Sequence, residues 1–136
     1  MSTSDAEREK EARRWLRYAE DDLEAAEAIL ATSQLAPRLT CWHAQQAAEK
    51  ALKGALVSLG IDFPFTHDLE ALLALLPPGW QAKDDELDVE ELSQWAIEAR
   101  YPGNWPEPSK GDAGRALAQA RAVVESVRAD LARRRA

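Results

Sequence analysis

Three stretches of this chain repeat one apolar step of four and three residues, and that repeat leaves little choice of fold. Ala12, Leu16, Ala19, Leu23, Ala26 and Leu30 form the first stripe, and Cys41, Gln45, Ala48, Leu52, Ala55 and Leu59 the second. Ala113, Leu117, Ala120, Val124, Val127 and Leu131 form the third. Such an alternation keeps side chains on one face of a helix of about 3.6 residues per turn. No segment alternates with the shorter period of a strand. Helices with matching stripes bury them against each other, so the spacing predicts an all-α, antiparallel up-and-down bundle of about five helices. The 136 residues suffice for a single domain over 1–136, and no linker is long enough to divide it.

The middle stripe belongs to a helix that opens at Pro37 and closes on Gly60, the asymmetry expected of helix ends. Beside it run the small residues Ala44, Ala48, Ala51, Ala55 and Ser58, which let neighbouring backbones approach closely and place this helix mid-bundle. A third side carries His43, Gln46, Lys50 and Lys53. Gln45 falls inside the stripe, so its amide is expected to be buried and bonded to another helix or across a dimer. Gln46, Lys50 and Lys53 are expected to be exposed.

Around this helix the remaining elements are read from their end signals. Ser4 and Glu7 match a capping box for a first helix over 5–31. Thr66 is positioned to cap a short third helix, HDLEALLALL, with Asp68 in its first turn and Pro77-Pro78-Gly79 as its stop. Trp80 to Asp85 reads as a turn or loop. A fourth helix is expected from about 85–88 to Arg100. The Pro-rich YPGNWPEPS loop follows, and then a fifth helix over about 110–133, opened by Ser109 and Asp112.

A formal charge of −7 argues against a protein that coats nucleic acid through excess Lys and Arg, though it leaves room for a local basic cleft. The acidic run Glu20, Asp21, Asp22, Glu24 and Glu27 lacks the Glu-x-x-His pairs of bundle metal sites and reads as a solvated face, so no metal is expected. Cys41 is the only cysteine, which excludes an intrachain disulfide. The charged N-terminus and the absence of a roughly 20-residue apolar span give a cytoplasmic expectation with no membrane role.

Signals for chemistry are few. His43 reads as a partly buried, hydrogen-bonded histidine at a packing edge, and the ring of His67 as bonded to a loop carbonyl. Cys41 and His43 are two residues apart on a helix and face different ways. No Gly-rich phosphate loop is present, and no cofactor is expected. Arg100, at a helix end before Tyr101 and the Pro-rich loop, is placed to hold a phosphate bidentately; the competing reading has it capping carbonyls while Tyr101 packs.

The runs HAQQAAEKALKGAL, THDL (Thr66 to Leu69) and ARYP (Ala99 to Pro102) come in the order and spacing that resemble HEPN domains (higher eukaryotes and prokaryotes nucleotide-binding). WLRYAEDDLEAAEAIL looks like the first helix of that family and Asp112-Ala113 like the start of its last. The resemblance implies a dimerising bundle, often encoded beside a minimal nucleotidyltransferase in a toxin–antitoxin type module, that binds nucleotide or RNA. Arg100, Tyr101, Lys50, Lys53 and His67 are the candidate nucleotide- or RNA-binding residues. The resemblance also implies metal-independent ribonuclease action in toxin members, which carry the arginine, four to six intervening residues and then a histidine. Here Trp105, Pro106 and Glu107 occupy that window, so cleavage is expected to be weak or absent and the catalytic residues are unknown. The expected function is a homodimeric partner of a minimal nucleotidyltransferase with a phosphate site near Arg100. The alternatives are a ribonuclease toxin with an atypical site and a non-catalytic interaction adaptor.

Overall fold

A computed structural model describes residues 3–135. Every regular element among them is helical: α1 (Thr3–Leu30), α2 (Pro37–Leu59), α3 (Leu69–Ala74), α4 (Gln81–Asp84), α5 (Glu90–Glu98) and α6 (Lys110–Arg135). No helix among the described residues is long and apolar enough to cross a membrane.

The central helix sits where its small residues require. α2 packs against α1, α6, α5 and α3. Ala44, Ala47, Ala48, Ala51 and Ala55 are fully buried along it, together with Cys41, Leu52 and Leu56. Pro37 opens the helix, and Gly60 closes it in the left-handed conformation at φ 67°, donating its N–H to the carbonyls of Leu56 and Val57. Against α1 the approach is closest at Gly54: a Cβ there would lie 2.9 Å from Trp15 Cβ and 3.2 Å from the Ala12 carbonyl oxygen. Asp22 pairs with Lys50 and with His43, and Thr40 donates to the Ala26 carbonyl, so α1 and α2 run antiparallel. Glu20 and Glu27 meet Arg128 and Arg121, which sets α6 antiparallel to α1 as well.

Several ends differ from the sequence expectations for local reasons. α1 is already helical at Thr3, so Ser4 is not its cap. Asp68, not Thr66, caps α3: its carboxylate accepts the N–H groups of Glu70 and Ala71, while the Thr66 hydroxyl accepts that of Asp68. The helical residues of α3 are correspondingly fewer than HDLEALLALL. The expected loop at Trp80 to Asp85 contains α4, making six helices rather than about five among the described residues. α4 is started by Asp130 of α6, which is 3 % exposed and accepts the N–H groups of Gln81 at 2.8 Å and Ala82 at 3.2 Å. α6 opens with the expected box: Ser109 N–H donates to Asp112, and Asp112 N–H donates to the Ser109 hydroxyl.

The acidic run is only partly a solvated face, because Glu20, Asp22 and Glu27 each meet a cation on α6 or α2.

Candidate nucleic-acid interface

α1 does not approach α3 or α5. The side of α2 turned away from α6 is therefore the floor of an open groove between them. Trp42, His43, Gln46 and Lys50 lie on that floor at helical spacing, each half-buried.

Arg100 follows the last turn of α5 at the groove edge. Its guanidinium carbon lies 5.2 Å from the Trp42 ring centre and 5.1 Å from that of Tyr101. Both distances are within the range of a cation–π contact. Arg100 is exposed, and its side-chain N–H groups donate to no carboxylate or carbonyl among the described residues. A helix-capping role for this side chain is thus not what the geometry contains. Tyr101 is half exposed. The chain beyond folds on itself, with the Trp105 ring lying over Gly103. Glu107 points outward, its nearest cation being Arg38 at 3.9 Å.

Lys53 and His67 belong to a different arrangement. Glu49, a buried carboxylate one turn before Lys53, accepts from Lys53 Nζ at 3.1 Å and from Gln45 Nε2 at 3.1 Å. Its Oε1 also lies 2.8 Å from His67 Nδ1. A carboxylate only accepts, so His67 carries its proton on Nδ1. The partner of the ring is thus a carboxylate, not a loop carbonyl, and the His67 carbonyl instead accepts from Gln45. Lys53, expected at the surface, is 7 % exposed, because Glu49 supplies the charge that makes its burial tolerable. Gln45 is buried as expected, and its oxygen accepts from Gln46 Nε2 at 2.7 Å.

Lys50 stands on the opposite edge. Asp22 holds its Nζ at 2.5 Å and His43 Nδ1 at 3.0 Å, and both basic side chains remain about a third exposed. His43 is therefore the half-buried, bonded histidine that its position predicts.

The five candidate residues thus separate into three places: Arg100 with Tyr101, Lys53 with His67, and Lys50 alone. Only the first presents a cation without a carboxylate beside it. Trp42, which no motif in the sequence singles out, is the residue that positions it. Its signal is weak, an aromatic off the apolar stripe of α2. Glu49 is equally absent from the sequence candidates, although Gln45, Glu49 and Lys53 succeed each other at intervals of four.

The Cys41 thiol offers no nucleophile. It is fully buried, and burial first, then the charges of Asp112 and Glu91, push its pKa up to about 12. No group of His, Cys, Asp and Glu suited to a metal occurs among the described residues.

The chain is similar in structure to TT1696 from Thermus thermophilus, with a TM-score of 0.73 and 29 % identity over 88 % of this chain and 97 % of that one. It is also similar to ST0689, an archaeal HEPN homologue, with a TM-score of 0.69, 26 % identity and the same shares of each chain. No curated protein matches it significantly. The HEPN domain model matches residues 12–130, nearly all of the bundle just described, and the chain belongs to that family.

Proposed function

We propose that this chain works in the cytoplasm as a homodimeric HEPN protein, the partner of a minimal nucleotidyltransferase in a toxin–antitoxin type module. In that role it binds the phosphate of a nucleotide or of single-stranded RNA at Arg100. The observation that carries the phosphate site is the state of Arg100: exposed, flanked by Trp42 and Tyr101, and with its donors committed to no acceptor among the described residues. A planar guanidinium held this way presents its fork to a phosphate bidentately, and the half-exposed Tyr101 ring adds a face for a base. Phe65, an aromatic side chain left 97 % exposed, supports the dimer.

Binding is favoured over cleavage by what occupies the loop after Arg100. Trp105 is folded over Gly103, and Glu107 faces solvent and Arg38, so no imidazole stands there to move a proton.

Titration with nucleotides and short single-stranded RNA, followed for cleavage in the same samples, tests this reading. Arg100→Ala is expected to weaken binding at least about tenfold, the range for losing a charge-assisted pair. Arg100→Lys should recover only part, because a point charge lacks the fork. Affinity unchanged in Arg100→Ala overturns the phosphate site, and rapid cleavage by the unaltered protein overturns the choice of binding over catalysis. Sedimentation showing only monomer at micromolar concentration overturns the dimer.

A further inference from the structure

The groove has a second aromatic edge that the Arg100 site does not use. Along α1, Glu11, Trp15, Tyr18 and Asp22 succeed each other at helical spacing beside α2. With Arg14 and Lys50, the first three line an open cleft of about 190 Å³. That is below the roughly 300 Å³ at which drug-sized sites begin, so it has room for one flat ring system rather than a whole nucleotide. Tyr18 is 55 % exposed there. Lys50 spends one of its three donors on Asp22 and keeps two for another oxygen.

We propose that this cleft is a second base seat, and that the ligand of the groove is an oligonucleotide strand rather than a mononucleotide. The inference rests on the phosphate site assigned to Arg100. The separation decides between the two ligands. Trp42, beneath Arg100, and Lys50, at the cleft, are two helical turns apart on α2, or about 12 Å at about 1.5 Å per residue. Stacked nucleotides rise about 3.4 Å each, so roughly four are needed to reach from one seat to the other. A mononucleotide fills one seat only. His43 and Gln46 lie on the floor between, giving the strand polar rather than apolar ground to cross.

The test is a titration of the full chain with uridylate oligomers of one to eight nucleotides, monitored by anisotropy. Affinity should rise with length up to about four nucleotides and then level. Tyr18→Ala should remove that gain, about tenfold and within the range for stacking one base, while leaving mononucleotide affinity unchanged. Tyr18→Phe should keep the gain, because the ring and not the hydroxyl stacks. Tyr18 is exposed, so the alanine variant is expected to fold, which its helical dichroism checks. Equal affinity for one and eight nucleotides, or a length gain that survives Tyr18→Ala, overturns the second seat. In either case Arg100→Ala still reports separately on the phosphate site: a loss at every length keeps that site standing, and no loss at any length removes both.

Discussion

Glu49 and His67 lie 2.8 Å apart, carboxylate oxygen to Nδ1, and that contact ties the connector before α3 to the middle of α2. The same carboxylate holds Lys53, and the amide of Gln45 links it to the His67 carbonyl. One acidic side chain therefore satisfies three donors in a place where only 7 % of it reaches solvent.

Removing that carboxylate is expected to be costly. Glu49→Ala leaves Lys53 buried without a counter-charge and Gln45 short of an acceptor, a loss of about 3 kcal/mol in urea unfolding. Asp22→Ala should cost less than half as much, because Lys50 and His43 are each about a third exposed and water replaces the lost partner. Similar losses for the two variants would mean that burial does not set the value of these pairs.

Two of the helical glycines, Gly54 and Gly114, have contrasting surroundings and should respond with opposite signs. Gly54→Ala puts a Cβ 2.9 Å from Trp15 Cβ, and neither backbone can yield without moving α1. A loss of about 1–3 kcal/mol is expected. Around Gly114, in α6, nothing lies within 4 Å of an added Cβ, so Gly114→Ala should stabilise by about 0.5–1 kcal/mol through helix propensity. Thermal unfolding of the two variants checks both signs.

The long helices are legible in the sequence because their stripes are local and repeat the same step. What escapes it depends on contacts between distant residues. Nothing near Trp80 announces α4, since the acceptor for its first N–H groups is Asp130, far along the chain on α6. The candidate site behaves the same way. Arg100 is legible as a helix-end cation, but the Trp42 ring under it comes from another helix. Lys53 is misplaced for a different reason. Its partner Glu49 is visible one turn away, yet spacing alone does not tell whether an ion pair faces water or the interior.

Cys41 should be chemically silent in the folded protein. With no exposed surface and a pKa pushed up to about 12, its thiolate is scarce at any ordinary pH. A disulfide reagent at pH 8 is expected to titrate no thiol in buffer and one thiol in denaturant. Reaction in buffer at the rate of a free thiol would show that the α2–α6 packing opens there.

The start of α6 carries a pH dependence whose direction follows from Asp112. The backbone N–H of Ser109 donates to its carboxylate, the Ser109 hydroxyl and Arg115 assist, and its pKa is lowered from the ordinary 3.8. A lowered folded value means that the unfolded chain binds the proton more readily. The stabilisation is therefore present at neutral pH and down to about pH 4, and is lost as pH falls through the lower folded value. Asp112→Asn should be less stable than the unaltered protein at pH 7, and that gap should shrink toward pH 2 as the carboxyl takes up its proton. Ser109→Ala removes the hydroxyl that accepts the Asp112 N–H, a cost of about 1 kcal/mol, and that loss should persist at both pH values. A gap between Asp112→Asn and the unaltered protein that stays constant from pH 7 to pH 2 would show that the carboxylate acts there through its shape and not through its charge.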